Sequence, residues 1–135
     1  MKSKPHFKPN KKEKVSADYS VNTNSYELKG RIWIDSGNET FIGYGRIVLL
    51  ERIKEHGSIT KAAKSMDMSY KHAWDLIDSI NKNSSKPVVI TATGGKNGGG
   101  AKLTEHGEQI VKLFWDLQAK LKEFLSENKK LIDNI

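Results

Sequence analysis

Seven consecutive residues, Gly94–Gly100 (GGKNGGG), hold five glycines and Lys96, and Lys102 follows closely. Backbone without side chains can approach a phosphate, and a lysine beside it can neutralise the charge. A nucleotide-binding P-loop is the first chemistry to weigh, and it fails. Setting Gly95–Lys96 on the GK of GxxxxGK[ST] puts Ile90 at the required first glycine and Asn97 at the Ser/Thr. A dinucleotide fingerprint needs strand, glycines and helix in a βαβ unit, whereas this loop joins two short strands. Glycine-rich loop tips are also common without any function. Other catalytic chemistry has no footing. The histidines, His6, His56, His72 and His106, lack HxxxH or HExxH spacing, and His106 and Glu108 fall on different faces of a helix. With no cysteine there is no thiolate metal site, disulfide or cysteine nucleophile. No catalytic residue, metal site or cofactor is expected, and the chain reads as a binding protein rather than an enzyme.

The charge suggests what is bound. The formal net charge over 135 residues is +7, which favours a polyanion, nucleic acid before an anionic membrane surface. Residues 1–25 carry six lysines against Glu13 and Asp18, a net of +4, with almost nothing to bury. They read as a disordered basic arm, on DNA or merely solubilising. No apolar run nears the ~20 residues of a membrane helix. No apolar segment follows the basic start, as a signal peptide would require. The expected setting is the cytoplasm, with no membrane partner.

Periodicity places these residues on elements. Tyr26–Asp35 alternates and predicts a strand, followed by a turn at Ser36–Glu39. Ile42–His56 carries a broad apolar stripe and predicts a first helix, ended by Gly57. Ser58 caps a short second helix over Ile59–Met66, with Ala62 and Ala63 allowing close helix approach. Asp67–Met68 is a turn, and Ser69 caps a third helix over Tyr70–Asn81. Its apolar side is Tyr70, Ala73, Trp74, Leu76, Ile77 and Ile80; its polar side is Lys71, His72, Asp75, Asp78, Ser79 and Lys82. A strand is expected over Pro87–Thr93 and a returning one over Ala101–Leu103. Thr104 caps a long last helix from Glu105 to about Asn128.

Two short helices about a tight turn, the second polar-faced, describe a helix-turn-helix, and a hairpin directly after it describes a wing. The expected class is therefore mainly α with a small β wing (α+β), a winged helix-turn-helix over 26–104, with residues 105–135 as a C-terminal dimerisation helix. The third helix would enter a major groove of double-stranded DNA. Lys61, Lys64, Lys71, Lys96 and Lys102 would meet phosphates. Ser69, Tyr70, Lys71 and His72 would lie near bases, with Ser58, Gly95, Asn97 and Gly98 beside the backbone. Asp75 could accept from cytosine N4 or pair with a cation on the helix surface. Trp74 is read as core. Architectural binding without sequence preference, or docking on a protein, remains the alternative, because a fold does not fix a function.

At GSITKAAKSMDMSYKHAWDLID (Gly57–Asp78) and TATGGKNGGGAKLTEHGEQIV (Thr91–Val111) the chain resembles the N-terminal, LysR-like winged-helix domain of ModE-type molybdate-responsive regulators. SYKxAWD and GGKxGGGAxLT are the specific parts, and the similarity spans about 43–125. The resemblance implies sequence-specific duplex binding as a dimer, with Ser69, Tyr70, Lys71, His72, Lys96 and its glycines facing DNA. Such regulators carry C-terminal oxyanion-binding domains. A chain ending at Ile135 resembles the short stand-alone form, so molybdate binding is not carried over and no small-molecule effector is evident. Along the last helix Ile110, Phe114, Leu117, Leu121 and Phe124 follow a 4,3,4,3 spacing, the expected homodimer seam, the alternative being a single helix folded back on its own domain.

Overall fold

The computed structural model of the chain describes residues 18–92 and 100–135. Gly95, Lys96, Asn97 and Gly98, expected at the tip of a wing, and most of the expected basic arm lie outside them. The elements in chain order are β1 (Tyr19–Asn22), β2 (Glu27–Gly30), β3 (Ile34–Ser36), β4 (Glu39–Ile42), α1 (Tyr44–His56), α2 (Ile59–Ser65), α3 (Tyr70–Asn83), β5 (Val89–Thr91), β6 (Ala101–Leu103), α4 (Glu105–Asn128) and α5 (Lys130–Asp133). Each sheet is one antiparallel pair, β1–β2, β3–β4 or β5–β6, so the described chain is of mixed α and β content. No described helix is long and apolar enough to cross a membrane.

The described residues form two compact units, one of Trp33–Phe114 and one of residues 18–32 with Trp115–Ile135. In the larger unit α1 is the central element. Ile47, Val48, Leu49, Leu50 and Ile53 are all buried, so neighbours cover it on several sides. Gly57 ends it in the left-handed region (φ 66°), its N–H donating to Ile53 O at 2.7 Å. Ala62 and Ala63, both buried, let α2 approach closely. The α2–α3 turn rests on Asp67, a non-glycine residue at φ 51°, and on the Met68 N–H bonding back to Ala63 O at 3.0 Å. Ala73, Ile77 and Ile80 form the buried side of α3. After α3, Val89 pairs with Leu103, Ile90 with Lys102 and Thr91 with Ala101. The Ala101 N–H donates to Gly57 O at 3.0 Å, joining β6 to the end of α1.

Three expectations change. The strand expected over Tyr26–Asp35 is two strands in different hairpins: β2 pairs with β1, β3 with β4. The expected disordered arm does not extend through Tyr19–Asn22, which pairs in register with Glu27–Gly30. Its turn is closed by Thr23, whose Oγ1 accepts the Tyr26 N–H at 3.0 Å and whose N–H donates to Tyr26 O at 2.8 Å. The third change concerns α4. Ile110 and Phe114 are buried within the chain (8% and 1% exposed), and so offer no surface to a partner. They lie on the buried face of α4 with Val111, Gln118 and Leu125, whereas Leu113 and Phe124 are half or more exposed (50% and 59%). The first turns of α4, beyond the boundary expected at 104/105, contribute core to the larger unit.

In the smaller unit β2 meets the far part of α4. A Cβ on Gly30 would stand 3.1 Å from Leu121 Cδ1 and 3.5 Å from Leu125 Cδ1, so the missing side chain lets strand and helix touch. The Lys122 ammonium lies 6.0 Å from the Tyr19 ring centre, and Arg31 pairs with Asp18 at 2.6 Å.

Gly107 has no such room to give. A Cβ there would overlap the Val88 carbonyl oxygen, which is backbone and cannot swing aside. Gly107→Ala should destabilise the protein by about 2 kcal/mol or more, the usual cost of overpacking a tight contact, read as a lowered urea midpoint. Asp67→Gly should be neutral or mildly stabilising, and Asp67→Val should cost about 1–2 kcal/mol, because a β-branched residue resists positive φ.

Candidate nucleic-acid interface

Both helices of the α2–turn–α3 pair begin on a serine. Ser58 Oγ accepts the Lys61 N–H at 3.2 Å and Ser69 Oγ accepts the His72 N–H at 3.0 Å. Each hydroxyl satisfies one orphan helix donor and keeps its own proton to give to an outside acceptor. Lys61 and Lys64 are exposed on α2.

The two halves of α3 differ. Its first turns are open. Lys71 and His72 are exposed, and Tyr70, 52% exposed, stands edge-on to Trp74 with ring centres 6.1 Å apart. Trp74 is only partly buried. The sequence placed it in the core, but it closes one margin of the open surface as well. Lys71 Nζ and Asp75 Oδ2 form an i,i+4 pair at 3.0 Å, both side chains mostly exposed.

The C-terminal half of α3 is held. Arg46 of α1 donates to Ser79 Oγ at 2.9 Å, so Ser79, expected on the polar face, is instead partly buried. Burial pushes the Arg46 guanidinium below its usual range, against the opposing charge of Glu39; it remains a cation. Asn83 Nδ2 donates to Ser79 O at 2.9 Å and to Glu39 Oε2 at 3.0 Å.

Asn81 makes the connection to the hairpin. Its Oδ1 accepts from the Val88 N–H (2.8 Å) and the Val89 N–H (3.1 Å), and its Nδ2 donates to Val89 O at 3.0 Å. One amide thus satisfies three backbone groups at the start of β5 and fixes where the hairpin leaves α3. Sequence reading passed over Asn81. The signal that could have found it is the need of the β5 edge for partners beyond a short β6. Thr104 fixes the hairpin's other foot: its Oγ1 donates to Pro87 O at 2.6 Å and accepts the Gly107 N–H at 3.0 Å. Lys102, opposite Ile90, is exposed on β6.

Ser58, Lys61, Lys64, Ser69, Tyr70, Lys71, His72, Asp75 and Lys102 therefore all belong to the larger unit. None is fully buried, and most are exposed. Gly95, Lys96, Asn97 and Gly98 fall outside the described residues. Among the described residues no three His, Asp or Glu side chains converge to hold a metal ion. A groove behind the hairpin is lined by Lys86, Pro87, Ile90, Thr104, Glu105, His106 and Gln109. Its charges are mixed, and the His106 Nε2 is engaged by Ser84 Oγ at 3.0 Å.

No family model matches the chain. It is similar to the molybdenum transport protein ModE of Azotobacter vinelandii, 36% identical over 105 residues, 78% of this chain and 39% of that protein. It is 46% identical over 78 residues to the DNA-binding transcriptional dual regulator ModE of Escherichia coli K12, covering 58% of this chain and 29% of that protein. With the molybdenum-pterin-binding protein MopB of Rhodobacter capsulatus it shares 39% identity over 92 residues, 68% of this chain and 34% of that one. The chain is thus related in sequence to the ModE and Mop proteins. It spans about a third of the length of these curated relatives. Two of the three names carry molybdenum, although no small-molecule effector is evident in this sequence.

Asn81→Ala removes three bonds and leaves two strand N–H groups without their acceptor. A loss of about 2–3 kcal/mol is expected from unsatisfied, partly buried donors, measurable by urea denaturation. Asn81→Asp, which keeps the acceptor, should cost less.

Proposed function

We propose that this chain is a sequence-specific, double-stranded DNA-binding transcription regulator of the winged helix-turn-helix class, and not an enzyme. The observation that carries the reading is the asymmetry of α3. Its second half is bonded to α1, β4 and β5, while its first half presents Ser69, Tyr70, Lys71 and His72 outward. A helix held at one end and open at the other suits a major groove, where the N-terminal residues of a recognition helix reach base edges. Lys61, Lys64 and Lys102 would set the docking by neutralising phosphates, with Ser58 beside them and Gly95–Gly98 of the wing tip against the backbone. Related proteins named as transcriptional regulators support the regulatory part of this reading.

The regulator would work as a cytoplasmic homodimer, since a symmetric operator is read by a symmetric protein. With Ile110 and Phe114 buried, the seam falls to Leu117, Leu121 and the exposed Phe124. Truncation before these residues would also remove core, so a point change tests the seam better. Phe124→Glu should leave the melting temperature of the fold nearly unchanged and shift the sedimentation coefficient from dimer to monomer.

Selection of random duplexes on the purified protein, followed by fluorescence anisotropy across a salt series, tests the function. A two-fold-symmetric winner bound ~10³-fold or more over random DNA is expected, with a salt slope of about 0.9 per phosphate neutralised. Lys71→Ala should relax specificity more than Lys96→Ala, which should mainly reduce the slope. Salt-sensitive binding without enrichment would instead establish an architectural role, and no binding would redirect the reading to a protein partner.

A further inference from the structure

One charged pair lies on the open half of α3, and its composition is unusual for a surface meant to face phosphates. Lys71 Nζ and Asp75 Oδ2 are 3.0 Å apart, with side chains 86% and 59% exposed. The carboxylate is not needed to hold the fold. An exposed i,i+4 pair contributes only a few tenths of a kcal/mol. Near a phosphate it would be repelled, so any docking that presses this face on a duplex penalises Asp75 unless a base-edge donor meets it.

We propose that Lys71 and Asp75 act as one donor–acceptor unit that selects a G·C base pair, with Asp75 as the specificity-determining residue. The proposal rests on the reading of α3 as the recognition helix.

The major-groove edge of a G·C pair carries two adjacent acceptors, N7 and O6, on guanine and one donor, N4–H, on cytosine. An ammonium over the purine and a carboxylate over the pyrimidine meet all three correctly. In the same orientation an A·T pair places the adenine N6–H donor before the ammonium and the thymine O4 before the carboxylate. The carboxylate contact is then wrong, and the ammonium keeps only the adenine N7. A reversed C·G pair sets the cytosine donor against Lys71 and guanine oxygen against Asp75. A T·A pair keeps an acceptor, O4, before the ammonium and a donor, N6–H, before the carboxylate, and is set apart from G·C only by the thymine methyl in place of guanine N7 and by adenine N7 beside the carboxylate. The pair therefore works largely by rejection. Lysine alone would tolerate any phosphate or acceptor nearby, and Asp75 makes the wrong alternatives costly.

The pair also has a built-in reference state. Off DNA each charge satisfies the other, so neither is left without a partner in water. On random DNA Lys71 must leave Asp75 to reach a phosphate. On the correct pair both heads turn to the base edge together. Asp78, the next acidic residue on this face, lies nearly a turn further along and is exposed.

The test uses the full chain and a duplex selected on it from random sequence. Every base pair of that duplex is replaced in turn, and affinities are measured by anisotropy for the wild type, Asp75→Ala, Lys71→Ala and the double variant. All four should show the same circular-dichroism melt, since both side chains are exposed. The wild type should lose about tenfold or more at one G·C position. Asp75→Ala should bind random duplex several-fold more tightly and lose discrimination at that position alone. The two single changes should be non-additive there. If the wild type discriminates at G·C but Asp75→Ala discriminates equally well, this proposal is overturned while the DNA-reading function stands. If the wild type enriches no sequence, both are overturned.

Discussion

A helix that buries one side and leaves its first turns open is fixed mainly through its packed end, and in this protein Asn81 does much of that fixing. Three hydrogen bonds from one amide join the last turn of α3 to the first residues of β5. They couple the angle of the open half of α3 to the direction in which the hairpin departs. Arg46 of α1 and Glu39 of β4 hold the same half of the helix through Ser79 and Asn83. Near-neutral bonds in water become strong constraints at Asn81 and Arg46, where the bonded groups are partly withdrawn from solvent.

The second foot of the hairpin is secured differently. Gly107 brings the first turn of α4 directly against the Val88 carbonyl, and Thr104 caps that turn while bonding Pro87. Strand β6 is tied by Ala101 to Gly57, immediately before the serine that starts α2. Short elements of three or four residues could not hold such positions alone. They hold because the start of β5 and both ends of β6 are fixed to helix ends.

Much of this was legible in the residues. The caps at Ser58, Ser69 and Thr104 and the stop at Gly57 follow from helix-end chemistry, and the bounds of α1 to α4 come out within a few residues. The β1–β2 hairpin was not legible, because four residues, YSVN, alternate too briefly to stand out from a lysine-rich tail. Which face of α4 the chain itself covers was not legible, for a physical reason. Its apolar residues cover more than one stripe, and a 4,3 spacing cannot say which stripe the chain itself covers. The candidate site was legible as residue types at helix positions. Asn81, whose role depends on a strand several residues on, was not.

The most direct measurement is a titration of ¹⁵N-labelled protein with a selected duplex, following amide shifts. The account predicts large changes confined to Ser58–Lys64, Ser69–Asp75 and the residues about Lys96 and Lys102, with Asn81 and Ser79 nearly still. Changes centred on the exposed side of α4 or on the β1–β2 hairpin, with α3 unmoved, would contradict it.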